Sequence, residues 1–153
     1  MIREYHPYLI QSDPVTFEPM YQVTKAIYFC YGHRLLDYAG KCRHLHGHNA
    51  RAVITFRGEH LDERGMLYDF NDIKDLVKGW IDENLDHNML LRADDPLIPL
   101  LENQGERFLA VENNPTAEHI AKMIHDFIIA EGYPVAEVAV WETETCIASY
   151  SSD

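Results

Sequence analysis

From Tyr21 the chain alternates. Val23, Lys25, Ile27 and Phe29 share one parity in a run of β-branched and aromatic residues, which predicts a strand over 21–30. A polar loop with Gly32 and Gly40 follows over 31–43. The next segment alternates more cleanly, with His46, His48, Ala50, Ala52, Ile54 and Phe56 on even positions and Asn49, Arg51, Thr55 and Arg57 on odd ones. That pattern predicts a second strand over 46–58 with one buried face. A short third strand is predicted over 66–70. Ile73, Leu76, Val77, Trp80 and Ile81 then switch to helical spacing, with Asn71 as the expected cap. Ile120, Met123, Ile124, Phe127 and Ile128 mark a second helix, capped by Asn114, opened by Pro115 and stopped by Gly132. Residues 93–113 read as a long connection with an extended piece near Phe108, and 135–143 with 145–151 as a closing hairpin.

This order of strands and helices lacks the βαβ rhythm of a parallel sheet. It predicts an α+β fold with an antiparallel sheet. Pro7, Pro14 and Pro19 make residues 1–20 an extension, leaving 21–153 as one domain.

Composition narrows the partners. No apolar run approaches the ~20 residues of a membrane span, and the first twenty residues do not form a signal peptide. Three cysteines, Cys30, Cys42 and Cys146, argue for reduced thiols in a cytoplasmic setting. A net charge of −12 opposes nucleic acid or anionic membrane as a partner. Between Lys25 and Arg57, however, six basic residues face one acid, Asp37. Such a local patch suits a small anionic ligand, or else a solvated strand face.

Three histidines carry the candidate chemistry. His46 and His48 stand two apart on a strand and so point to one face, their Cα atoms about 6.5–7 Å apart. Gly47 removes bulk between them. His33 completes three nitrogen ligands if the two strands are neighbours, the set expected of catalytic zinc with one open position. His44 is a rival ligand of the same parity. Cys42 has three readings: a fourth ligand closing the site, a free thiol acting as base or nucleophile, or an inert buried residue. Lys41 and Arg43 flank it and favour its thiolate. Cys30 and Cys146 fall in strand patterns and read as inert.

Several motifs occur in order across residues 21–151. They are Gly32-His33-Arg34-Leu35, then Lys41-Cys42-Arg43-His44-Leu45-His46-Gly47-His48, then Gly65-Met66-Leu67-Tyr68-Asp69-Phe70. Leu85-Asp86-His87, Asn114-Pro115-Thr116-Ala117-Glu118 and Trp141-Glu142-Thr143 complete the set. Together they resemble the family of 6-pyruvoyl-tetrahydropterin and 6-carboxy-tetrahydropterin synthases. The Cys-x3-His-x-His spacing looks like the 6-carboxy branch, which serves 7-deazaguanine (queuosine precursor) synthesis.

The resemblance implies a tunnelling fold: an antiparallel sheet with two helices on one face, closed into a barrel by three subunits, with two trimers stacked into a hexamer. It implies Zn2+ on His33, His46 and His48, and 7,8-dihydroneopterin triphosphate as substrate. Glu142 resembles the anchor of the pterin edge, with Thr116 and Glu118 beside it. Cys42 would act as base, with Asp86 orienting His87 for a second proton transfer. Lys25, Arg34 and Lys41 are the candidates for the triphosphate. The alternatives are a 6-pyruvoyl-tetrahydropterin synthase, and a zinc- or pterin-binding module without turnover.

Overall fold

The structure is a computed structural model that describes residues 20–152. The extension assigned to 1–20 lies, but for Met20, outside the described residues. Chain order is β1 (Tyr21–His33), β2 (His46–Gly58), α1 (Phe70–Asn84), β3 (Asn88–Arg92), α2 (Ile98–Gln104), β4 (Phe108–Val111), α3 (Ala117–Ala130), β5 (Val135–Trp141) and β6 (Ile147–Ser151), with a 3-10 turn at Lys41–Arg43.

The two alternating segments form the centre of the molecule. β1 and β2 run antiparallel in unbroken register from Tyr21 opposite Gly58 to His33 opposite His46. β5 adds to β2 and β6 to β5, both antiparallel. The buried parity of this sheet (Ile27 and Phe29 on β1, Ala50 to Phe56 on β2, Val138 on β5) meets Ile73, Val77 and Ile81 of α1 and Ile120, Ile124 and Ile128 of α3. Each Val, Ile or Phe side chain among them taken from water contributes roughly 1.5–3 kcal/mol, so this layer holds the two helices on the sheet.

The expected all-antiparallel sheet is corrected on its other flank. The strand order is β4-β3-β1-β2-β5-β6, with β3 parallel to β1 and β4 parallel to β3. The sheet is therefore mixed, and there are three helices among the described residues, since α2 occupies part of the expected 93–113 connection. β3 escaped the pattern because Asn-Met-Leu-Leu-Arg is too short to alternate.

The strand expected over 66–70 does not form. Asp62 gathers that segment into a turn instead, its carboxylate accepting from the N–H groups of Arg64 and Met66, both at 2.9 Å, while Asp62 N–H donates to Met66 O at 2.8 Å. Both backbone groups of Met66 are spent locally, and Gly65 supplies the positive φ of 78° that the turn needs. Both expected caps shift as well. Asp69 caps α1 by accepting from Asn71 N–H, and Thr116 caps α3 by accepting from His119 N–H. Asn114 instead brackets Leu36, accepting from its N–H and donating to its carbonyl.

Two sheet edges bear on assembly. β3 covers β1 only at Tyr31–His33, so Tyr21–Cys30 has no strand neighbour on that side among the described residues, and β6 is the outer strand opposite. No helix among the described residues is long and apolar enough to cross a membrane.

Candidate metal and substrate site

The β1–β2 register builds the histidine cluster. His33 is the last residue of β1, not a loop residue beyond it, and sits directly across from His46, while Tyr31 sits across from His48. All three imidazoles therefore leave the sheet on its helix-covered face, where that face runs out. Gly47 between the two β2 histidines is required by space: a Cβ there would stand 2.8 Å from the Tyr31 carbonyl oxygen.

Two of the three rings are held in a ligand-ready state by backbone carbonyls. His33 Nδ1–H donates to Pro115 O at 2.7 Å and His46 Nδ1–H to His44 O at 2.7 Å, which leaves both Nε2 lone pairs free. His33 is 3% exposed, and burial pushes its pKa below the ordinary imidazole value, keeping the ring neutral. The Nε2 atoms of His33 and His48 are 3.2 Å apart. Two nitrogens bound tetrahedrally to one zinc would stand about 3.3 Å apart, so the donors fit a shared ion. One ligand atom from each of His33, His46 and His48 falls within 4.8 Å of the others, and the cluster could hold a metal. His44 contributes only its carbonyl, as the tether of His46.

Glu142, just past the end of β5, stands beside this cluster. Its Oε1 accepts from Tyr31 Oη at 2.5 Å and lies 3.9 and 3.8 Å from Nε2 of His33 and His48. Burial raises the Tyr31 pKa, and the neighbouring Glu142 hydrogen bond and charge raise it further, so Tyr31 is a fixed donor. Thr116 and Glu118 open α3, immediately after the Pro115 carbonyl that tethers His33. Tyr31 and Pro115 carried no signal of chemistry in the sequence, although Tyr31 shares the parity of His33.

The loop between His33 and His46 is pinned from outside. Arg34 forms a two-pronged ion pair with the buried Asp95 at 2.8 and 2.5 Å, and Arg92 reaches Asp37 at 2.6 Å. Arg34 is thereby engaged within the fold. Lys41 and Cys42 lie in the 3-10 turn of this loop, Lys41 exposed and Cys42 half-buried, and Leu35 N–H closes it on Cys42 O at 2.8 Å. Cys42 is not part of the ligand cluster. Lys25 stands eight residues from His33 along β1, about 26 Å away, beside Lys74 and Lys78 of α1.

Asp86 and His87 fall elsewhere. They meet Cys30, whose even parity points it to the opposite face of β1. Asp86 accepts from Cys30 N–H at 2.8 Å and from His87 Nδ1–H at 2.8 Å. Burial opposes its ionisation, yet these hydrogen bonds hold its pKa below the usual carboxylate range. Within one chain, then, the structure does not bring Cys42 and His87 together.

Fold and site define a scaffold able to carry one metal ion on three imidazoles beside a carboxylate. The chain matches the family model described as 6-pyruvoyl tetrahydropterin synthase over residues 22–153, and it belongs to that enzyme family. A Rickettsia bellii protein named 6-carboxy-5,6,7,8-tetrahydropterin synthase is 37% identical over 134 residues, 83% of this chain and 97% of its own length. One of the same name from Aquifex aeolicus is 34% identical over 126 residues, 74% of this chain and 77% of its own. Among solved structures, an uncharacterized Wolinella succinogenes protein superposes with a TM-score of 0.73 at 28% identity, covering 88% of this chain and 99% of that one. The Caenorhabditis elegans 6-pyruvoyl tetrahydropterin synthase shares the fold at a TM-score of 0.65 and 21% identity, over 90% of this chain and 100% of that one.

Proposed function

We propose that this enzyme converts 7,8-dihydroneopterin triphosphate, with water, into 6-carboxy-5,6,7,8-tetrahydropterin, acetaldehyde and triphosphate, a step of 7-deazaguanine synthesis. The observation that carries the proposal is the convergence of His33, His46 and His48, the tautomers of the first two set by backbone carbonyls, beside the Glu142 carboxylate. The relatives named as 6-carboxy synthases support the choice of product. Zinc fits a neutral three-imidazole set with an open position, and when bound would polarise the oxygens of the substrate side chain.

The chain's own groups do the rest. Glu142, held by Tyr31 through one oxygen, keeps the other for the amidine N–H edge of the pterin. Cys42, outside the ligand set, acts as the base at the carbon next to the ring. Asp86 orients His87 for the second proton transfer. Thr116 and Glu118 line the pterin at the start of α3. Lys41 stands on the same loop as Cys42, which makes it the better placed candidate for the triphosphate than Arg34, already paired with Asp95, or the distant Lys25.

Because His87 lies on the far face of β1 from the histidine cluster, the Asp86–His87 pair serves a neighbouring subunit's site. The free edges of β1 and β6 suit closure of three subunits into a barrel, and two trimers into a hexamer. Mass analysis after incubation with dihydroneopterin triphosphate is the test. A 6-pyruvoyl product would assign the other branch, and pterin binding without turnover would make the chain a binding module. Light scattering that gave a fully active monomer would refute the shared site.

A further inference from the structure

We propose that Cys30, Asp86 and His87 form a second site for a thiophilic divalent cation, separate from the histidine cluster and on the opposite face of β1. One ligand atom from each residue lies within 4.8 Å of the others. The sulfur–nitrogen distances match a coordination shell once the exposed His87 ring turns Nε2 toward the ion. Cys30 Sγ stands 3.5 and 3.6 Å from the two ring nitrogens of His87. A sulfur at about 2.3 Å and a nitrogen at about 2.0 Å from one tetrahedral zinc would be about 3.5 Å apart.

The backbone fixes this meeting. His87 is one of two non-glycine residues with positive φ among the described residues, at 52°, and its N–H donates to Cys30 O at 2.7 Å. The left-handed turn, sparsely populated for such a residue, sets the imidazole against the thiol of the strand. Asp86 Oδ2 already accepts from Nδ1, so Nε2 is the ring nitrogen left for an ion. The other carboxylate oxygen, Oδ1, takes the Cys30 N–H and stiffens the set.

Access comes from a cavity of about 620 Å³ lined by Cys30, Gly32, Gly47, His87 and Arg107 among others, which His48 also borders. The paired glycines Gly32 and Gly47 place no side chain between the cluster and that space. A cysteine, an imidazole and a carboxylate select zinc, cobalt or a similar ion over calcium or magnesium. On binding, the thiol proton passes to solvent. The exposed His87 ring, held only by its neighbour Asp86, makes this site weaker than the carbonyl-tethered three-histidine one.

Cobalt(II) discriminates the two sites, because only a sulfur ligand gives a near-ultraviolet thiolate-to-cobalt charge-transfer band. Full-length protein carrying one equivalent of zinc is titrated with Co2+ alone. The band is expected to rise with one further equivalent in the wild type and in Cys42→Ser, and to vanish in Cys30→Ser and His87→Ala. Retention of the first zinc equivalent in those variants reports that they are folded. No band in the wild type, a band surviving Cys30→Ser, or a band lost only in Cys42→Ser would overturn the site. A corollary rests on the proposed reaction: an ion on His87 removes the nitrogen needed for proton transfer, so zinc beyond one equivalent should inhibit turnover. If the band behaves as expected while zinc leaves turnover untouched, the metal site stands and the role given to His87 falls.

Discussion

Two clusters of donors share the last four residues of β1, and they are built in opposite ways. His33, with His46 and His48, projects to the helix-covered face, and His33 and His46 are tied by a backbone carbonyl outside the sheet ladder. Cys30 projects to the other face and meets an imidazole that is 76% exposed and held by its own sequence neighbour. A shift of parity along one strand separates a carbonyl-tethered ligand set, buried at His33 and half-buried at His46 and His48, from a more accessible one. Preorganisation by carbonyls fixes ring orientation before any ion arrives, so the first cluster should bind tightly and the second should respond to supply.

The largest effect should come from breaking the rigid cluster. His46→Ala and His48→Ala are each expected to reduce tightly held zinc from one equivalent per chain to near zero in metal analysis. Full retention in either would remove the site. The fold should survive, because both imidazoles lie beyond the apolar core of Ile54, Phe56 and their helix partners. Cys42→Ala comes next. Loss of a positioned base should lower kcat by roughly 10²–10⁴-fold with zinc unchanged. Zinc lost from that variant would return Cys42 to the role of fourth ligand.

The contrast also separates what the sequence made legible from what it hid. The triad could be read because β2 is long and alternates, so parity alone put His46 and His48 on one face, and register needed only to bring His33 across from them. Nothing in the order of residues placed Cys30 against His87, 57 positions away, since that contact depends on the parallel β3 and on a left-handed turn just before it. The same strand pattern that made Cys30 look inert says nothing of what faces it. β3 and α2 were lost for a related reason, and β4 showed only as the extended piece near Phe108: fewer than eight residues cannot establish a period, and parallel strands read as plain apolar runs. Asp95 stayed invisible because a buried ion pair leaves no trace in local sequence.

Glu142→Gln sharpens the comparison from the substrate side. It keeps the size of the side chain and removes the charge that should accept the pterin edge. A hydrogen bond to a charged group is worth about 1.5–3 kcal/mol, so pterin affinity should fall roughly 10- to 150-fold in calorimetry. Zinc content should hold, because the carboxylate stands 3.8–3.9 Å from the ring nitrogens and outside the ligand set. Tyr31→Phe should act in the same direction and more weakly.

The smallest expected effect tests whether rigidity of the triad begins outside it. Asp95 is 3% exposed, takes both prongs of Arg34 and caps Leu97 N–H at 2.8 Å, and so anchors the loop that leaves His33 and returns as His46. Burial opposes its ionisation, but Arg34 and the Leu97 N–H hold its pKa below the usual carboxylate range. A group depressed in the folded state contributes stability that is complete above the unfolded value of about 3.9 and is lost as pH falls through the folded value. Asp95→Asn keeps the shape and can still accept from Leu97, yet leaves Arg34 without its anion. The expected cost is about 1–3 kcal/mol in denaturant unfolding at neutral pH. Acid sensitivity should decrease, since the wild type loses this contribution on acidification and the variant has none to lose. Zinc affinity at the triad should weaken by a few-fold, while the cobalt band at Cys30, on the far face, should be unmoved. Equal weakening of both sites would mean that Asp95 acts through global stability and not through the loop, and an unchanged acid profile would remove its ion pair from the account.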